Sequence, residues 1–213
     1  MAPNVNRRAA VILAGGRSTR FGSADKAVTP LAGIPLIRHV ANVLESCVGL
    51  VVINCRNDQK QAIGSALSGL EVPIQYAIDT EPDRGPLAGI ARGLSEIETQ
   101  PLTFVVACDM PFVEADVIDF LFERIGPADA AVPHLDNQWY QTTQAVFRTE
   151  PMLGASQDVL NSGGERIVET FDQLEVIRVP EEEIKSVGSL QTFENINTQA
   201  ELTEAEEALT RRD

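Results

Sequence analysis

The run Arg8-Ala9-Ala10-Val11-Ile12-Leu13-Ala14-Gly15-Gly16-Arg17-Ser18-Thr19-Arg20-Phe21-Gly22-Ser23-Ala24-Asp25-Lys26 decides the fold class of this chain. After Arg8 its opening is wholly apolar, with β-branched Val11 and Ile12, and reads as a strand buried on both faces. Two glycines follow at once. Ligands in open α/β sheets bind just beyond the carboxyl ends of the strands. Gly15 and Gly16 lack a Cβ, so their backbone can approach a nucleotide closely and turn its amides toward phosphate oxygens. Arg17, Arg20 and Lys26 add three cations. A tight turn alone would account for the glycines, but not for the cations beside them. Neither GxxxxGK[ST] nor GxGxxG occurs, which argues against an ordinary P-loop ATPase and a dinucleotide-binding dehydrogenase.

Working outward, the same alternation of apolar β-branched run, turn and helical periodicity recurs. Strands are predicted at 50–54, 74–78, 102–107 and 142–147, besides the first at 8–13. Helices are predicted at 35–46, 85–97, 114–124 and 200–210, with Pro35 and Pro86 in first turns that need no donated backbone hydrogen. Gly163-Gly164 reads as a turn before another helix. This alternation builds a three-layer α/β, Rossmann-like fold with a mainly parallel, mixed central sheet. The length of 213 residues suits one domain over 1–213. Within it, 8–110 reads as a nucleotide-binding half and 111–200 as a half for the second substrate.

Composition narrows the function classes. The net charge is −14, yet residues 1–50 carry six basic residues against two acids. A basic opening on an acidic chain suits a local polyanion such as a nucleoside triphosphate, whereas the acidic remainder would repel nucleic acid. Only three of the seventeen basic residues are lysines, which, with the acid excess, resembles proteins of salt-loving organisms. No stretch approaches the roughly 20 apolar residues that span a bilayer, and no cleavable hydrophobic leader is legible, so a cytoplasmic location is expected. Cys47, Cys55 and Cys108 show no metal-ligand spacing, and their odd number argues against a disulfide framework.

Two further segments carry chemistry. Asp109, in Val105-Val106-Ala107-Cys108-Asp109-Met110-Pro111, follows a hydrophobic strand and is placed to hold Mg²⁺, which takes one or two carboxylates plus substrate phosphates. The alternative is an Asp that caps the helix near Glu114. Lys26 suits a point charge on phosphate, with an exposed surface lysine as its alternative. In Asp79-Thr80-Glu81-Pro82-Asp83-Arg84-Gly85-Pro86-Leu87-Ala88-Gly89-Ile90 the glycines permit a base or ribose to approach, although a plain loop and helix start would look alike.

Taken in order, Leu13 to Gly22 with Asp25-Lys26, then Gly33-x-Pro35-Leu36, Gly85-Pro86-Leu87-Ala88-Gly89, Cys108-Asp109-Met110-Pro111 and Asn195-Ile196-Asn197-Thr198, the chain resembles the molybdenum-cofactor guanylyltransferase family. That resemblance implies transfer of GMP from GTP to the terminal phosphate of molybdopterin, or Mo-molybdopterin, with release of pyrophosphate. It implies that Leu13, Ala14, Gly15 and Gly16 contact the nucleotide, that Lys26 binds its phosphates and that Asp109 binds Mg²⁺. It gives Asn54 and Asp79 a part in holding the guanosine; both end strands at the edge where Gly15 and Asp109 lie. Arg17 and Arg20 are read as holding the leaving pyrophosphate. Arg166, in a Gly-Glu-Arg turn, and Asn195 and Asn197 are read on the side of the pterin substrate, with a surface helix position as the alternative for Arg166.

Phe21 stands where the family has methionine, and Gln138 to Thr143 matches it only loosely. Relatives that use CTP carry Ala-Ala-Gly where this chain has Ala14-Gly15-Gly16. A cytidylyl- or sugar/polyol-phosphate transferase of the same fold, or a non-catalytic nucleotide-binding protein, are the competing readings. Molybdopterin-handling and molybdoenzyme-maturation proteins are the partners implied. No general base is needed, because the attacking phosphate is ionised at neutral pH, and His39 and His134 stand beside no candidate nucleophile.

Overall fold

A computed structural model describes residues 4–16, 25–80, 84–136 and 139–210. Its centre is a seven-stranded sheet ordered β5-β4-β1-β6-β8-β7-β9. The strands are β1 (Arg8–Leu13), β4 (Leu50–Cys55), β5 (Ile74–Ile78), β6 (Leu102–Ala107), β7 (Ala130–His134), β8 (Gln144–Arg148) and β9 (Val176–Pro180), and the short pair β2 (Pro30–Leu31) and β3 (Ile34–Pro35) forms a separate hairpin. All neighbours in the large sheet run parallel except β8, which is antiparallel to both β6 and β7.

The first strand has its place because its side chains alternate between two apolar layers. Ala10 and Ile12 enter one core with Val51, Ile53, Phe104 and Val106, and Ala9 and Val11 enter the other with Leu50, Val52 and Val105. Period-2 alternation in which both sets are apolar marks a strand covered on both sides. Helices α1 (Leu36–Cys47), α2 (Lys60–Ala66), α4 (Ala115–Arg124) and α6 (Glu181–Lys185) cover the first layer, and α3 (Gly85–Leu94) and α5 (Thr149–Asn161) the second. Helix α7 (Gln199–Thr210) seals a small third cluster, in which Leu202 and Ala205 meet Leu31, Leu36 and Ile196.

Glycines decide two local features. The β2–β3 hairpin turns through Ala32 (φ 51°) and Gly33 (φ 81°), both left-handed, as a two-residue turn between paired strands requires. Helix α3 lies close on the sheet because a Cβ on Gly93 would sit 2.5 Å from Val11 Cγ1.

The predicted strands at 8–13, 74–78 and 102–107 coincide with β1, β5 and β6, and that at 50–54 runs one residue further as β4. Elsewhere the structure differs. The strand expected at 142–147 is Gln144–Arg148, with Thr142 and Thr143 in the preceding turn. The helix expected after Gly163-Gly164 is a 3₁₀ stretch, Ile167–Gln173. Helix α3 ends at Leu94 rather than at 97. Unforeseen were α2, α5, α6, β7 and β9; β9 carries Arg178 and leaves much of its surface open, so it lacks the apolar run that betrays a central strand.

Candidate active site

Strand β1 lies between β4 and β6, and the chain proceeds from β1 to β4 and β5 on one side before α3 carries it back to β6 on the other. A crevice opens where the winding reverses, and such switch points are where open α/β sheets bind ligands. Leu13 stands level with Asn54 on one flank and Ala107 on the other. Backbone bonds from Ala14 N to Asn54 O (2.8 Å) and from Cys108 N to Leu13 O (3.0 Å) carry the alignment past the strand ends. The cleft there has a volume of about 360 Å³ and is lined by Leu13, Gly15, Gly16, Asn54 and Asp79 and, from the start of α3, by Arg84, Gly85 and Gly89.

Asn54 is only 3% exposed, so its amide must be satisfied within the protein. Its Nδ2 donates to Asp79 Oδ1 at 2.5 Å and to Ala77 O at 3.2 Å, which fixes both side chains at the cleft floor. The glycines around them are spatial necessities. A Cβ on Gly15 would lie 2.2 Å from Asp79 Oδ2, and one on Gly89 would lie 2.4 Å from Asn54 Oδ1. The motif glycines thus make room for two polar side chains that approach from neighbouring strands.

Beside the cleft the structure brings Lys26 to Asp109. Lys26 opens a 3₁₀ turn, Lys26–Val28, capped by Asp25, whose carboxylate accepts from Ala27 N at 3.1 Å. Its Nζ donates to Asp109 Oδ2 and, at 2.9 Å, to Asn197 Oδ1. With 12% of the Lys26 side chain and 16% of the Asp109 side chain exposed, neither is a free surface charge. Ile196 N donates to Asp109 O at 2.9 Å, which ties the segment bearing Asn197 to the Asp109 turn. Helix α4 begins behind Glu114 with no side-chain cap, so the helix-cap reading of Asp109 does not hold. Asp109 Oδ1 is buried and accepts no hydrogen bond from the described residues.

Asn195 does not join this group; it lines a separate groove with Phe112 and Glu201. Arg166 is 75% exposed and paired with Glu169 at 2.9 Å, yet its turn abuts the cleft mouth, where Glu165 O lies 3.9 Å from the Cβ position of Gly85. Arg17 and Arg20 lie outside the described residues. Ala14 is buried and carries the backbone that leaves β1. His39 is bonded to Leu31 O at 3.0 Å, and His134 packs on Tyr140 at 4.8 Å between ring centroids.

Sequence reasoning missed three residues. Arg84 lines the cleft directly before the positive-φ Gly85, a position the Arg-Gly-Pro order could have suggested. Arg56 donates from Nη1 to Gly15 O (3.0 Å) and Gly16 O (3.3 Å). Gln59, 2% exposed, donates to Ala14 O and to Asp25 Oδ1. No local signal marks these two, since their partners lie about forty residues earlier. The three cysteines are free and buried. Burial pushes the Cys108 thiol far above its ordinary value, which favours its protonated form.

The model of the MobA-like NTP transferase domain matches residues 10–178. A protein of Natronomonas pharaonis named probable molybdenum cofactor guanylyltransferase is 43% identical over 205 residues, covering 96% of this chain and all of that protein. The molybdenum cofactor guanylyltransferase of Cupriavidus metallidurans is 33% identical over 90% of this chain and 91% of its own. Among solved structures, molybdopterin-guanine dinucleotide biosynthesis protein A from Archaeoglobus fulgidus superposes with a TM-score of 0.77 at 26% identity, over 95% of this chain and 99% of that one.

Proposed function

We propose, since the chain belongs to the MobA-like NTP transferases and among them to the molybdenum cofactor guanylyltransferases, that it transfers GMP from GTP to the terminal phosphate of molybdopterin or its molybdenum-loaded form. A phosphate oxygen of the pterin forms a bond to the α-phosphorus of GTP. The bond from that phosphorus to the β-bridging oxygen breaks, and pyrophosphate leaves with the electron pair. No proton has to be removed from the nucleophile, which agrees with a cleft lined by no histidine among the described residues.

The single observation that carries this reading is the meeting of Lys26 with Asp109, two residues beyond Ala107, which lines the switch-point cleft. Phosphoryl-type transfer calls for positioning and for charge placed where it develops. The Lys26 ammonium offsets charge on the transferring phosphate, and Asn197 holds it there. The backbone of Leu13 to Gly16 takes the nucleotide against the sheet edge, while Asn54 and Asp79, locked to each other, hold the guanosine. Arg84 adds a cation at the cleft. Arg17 and Arg20 are assigned to the leaving pyrophosphate on sequence grounds alone.

Asp109 fits a Mg²⁺ site because Oδ1 is a hard oxygen that is buried and accepts no hydrogen bond from the described residues. Among the described residues no group of three or more ligating side chains occurs, so the ion would take one carboxylate and complete its shell from phosphates and water. Bound there, it would supply neutralisation of triphosphate charge. Asn197, and Arg166 at the cleft mouth, are assigned to the side of the pterin substrate. We propose a cytoplasmic reaction because nucleoside triphosphates are held there; separately, no helix among the described residues is long and apolar enough to cross a membrane. Molybdopterin-handling and molybdoenzyme-maturation proteins are the partners this reading implies.

The deciding experiment incubates the protein with Mg²⁺, molybdopterin and each nucleoside triphosphate in turn, with mass detection of the product. The guanine dinucleotide and pyrophosphate are expected with GTP. Formation of the cytosine dinucleotide in preference would overturn the guanylyl assignment.

A further inference from the structure

We infer that Gln59 is a positioning residue of the nucleotide site: its carboxamide joins the point where the chain leaves β1 to the residue before Lys26, and so sets the backbone from which Lys26 reaches Asp109. This deepens the guanylyl-transfer reading and rests on it.

The bonds are specific. Nε2 donates to Ala14 O at 2.9 Å and to Asp25 Oδ1 at 2.9 Å, and Oε1 accepts from Arg56 N at 2.9 Å. Both amide hydrogens are therefore used on the two ends of the glycine-containing segment. A buried amide costs free energy unless it is hydrogen-bonded, so a carboxamide 2% exposed with all its donors engaged is held in one orientation.

Gln59 also forgoes the local alternative. It stands at the N-cap of α2, yet its side chain makes no cap bond to that helix. Its partners are instead 45 and 34 residues away, on the segment that carries the nucleotide-binding glycines and Lys26. Arg56, from the same turn, donates to the carbonyls of Gly15 and Gly16 and is braced by Asp58 at 3.2 Å.

Asp25 makes the link to chemistry. The oxygen that takes the Gln59 bond also caps the Lys26–Val28 turn through Ala27 N. Loss of the carboxamide therefore loosens the cap and, with it, the Lys26 backbone. Misplacement of a phosphate-binding group by about 1 Å can cost on the order of 10²-fold in rate.

The test is a double-mutant cycle on the full chain with Mg²⁺, GTP and molybdopterin. Gln59→Leu, similar in size but without donors, is expected to lower kcat/KM for GTP at least tenfold. In a Lys26→Ala background the same change is expected to lower the residual rate less than twofold, because the group it positions is gone. Gln59→Glu keeps the acceptor for Arg56 N but sets a carboxylate against Asp25. Adding Asp25→Asn restores one bond and is expected to recover part of the lost activity. Should Gln59→Leu fail to fold, the Gln59→Glu and Asp25→Asn pair carries the test. A folded Gln59→Leu with wild-type kcat and KM, equal losses in both Lys26 backgrounds, or no recovery in the pair would each overturn the inference. Absence of turnover in the wild type would instead sink the guanylyl-transfer reading, which separates the two failures.

Discussion

Lys26 and Asp109, 83 residues apart in the chain, are ion-paired at the carboxyl edge of the sheet through one carboxylate oxygen, while the other is buried and accepts no hydrogen bond from the described residues. A half-buried ion pair adds little net stability, because desolvation offsets much of the attraction, but removal of one partner leaves the other charge uncompensated. Variants of the two residues should therefore separate stability from chemistry.

Lys26→Ala should slow GMP transfer by about 10²–10³, the scale of losing one charge-stabilising contact in the transition state. It should also lower the melting temperature, since Asp109 is left with an unpaired charge; about 1–3 kcal/mol is expected. Lys26→Arg should restore much of the melting temperature and little of the rate, because a planar fork does not replace a compact ammonium. Calorimetric melting beside pyrophosphate release checks both, and a wild-type rate in either variant would remove Lys26 from the chemistry.

Asp109→Asn should fold and still accept a hydrogen bond from Lys26, yet lose most Mg²⁺-dependent turnover, since a neutral amide is a poor ligand for a hard dication. Titration of rate against Mg²⁺ should show the half-saturating concentration rise steeply. An unchanged curve at limiting Mg²⁺ would show that Asp109 does not hold the ion.

Gly89→Ala and Gly93→Ala, one helical turn apart, should fail differently. At Gly89 the new methyl meets Asn54 Oδ1, so the Asn54–Asp79 pair is displaced and GTP affinity falls at least tenfold with modest loss of stability. At Gly93 it meets Val11 in the core, where overpacking costs about 1–3 kcal/mol. There the melting temperature should fall while the GTP affinity of the folded protein holds. Calorimetric GTP binding, set beside thermal melting, distinguishes the two.

Cys55 gives a pH dependence of defined sign. Burial and, behind it, the charge of Asp79 push its thiol from the ordinary 9.0 up to about 11. The unfolded chain thus loses this proton at lower pH than the folded one, so the contribution is fully present below about 9 and fades as pH rises toward 11. Melting temperatures should fall over that window, and Cys55→Ala should flatten the fall. A slope identical in the variant would assign the decline to other groups.

The apolar run ending at Leu13, the glycines after it and the strand before Asp109 were legible in the sequence because their information is local. β-branched residues on both faces mark a central strand, and the Gly85 helix start is written in a residue that tolerates positive φ, whereas the hairpin at Ala32-Gly33 was not foreseen, since Ala32 carries no signal for its left-handed backbone. The order of motifs sufficed to name the family, and the ends of β1, β4, β5 and β6 to name the edge where the site lies. Which groups meet at that edge was settled only by tertiary structure. Asn197 reaches Lys26 across 171 residues, whereas Asn195, two positions earlier, lines another groove. Gln59 has no periodicity or motif around it, and β9, half open and interrupted by Arg178, has no apolar run. A hydrogen bond depends on the distance between two atoms, and the packing of α3, α7 and the β4–α2 turn on the sheet brings those atoms together. Local pattern records the propensity of each segment and carries no term for its distant partner.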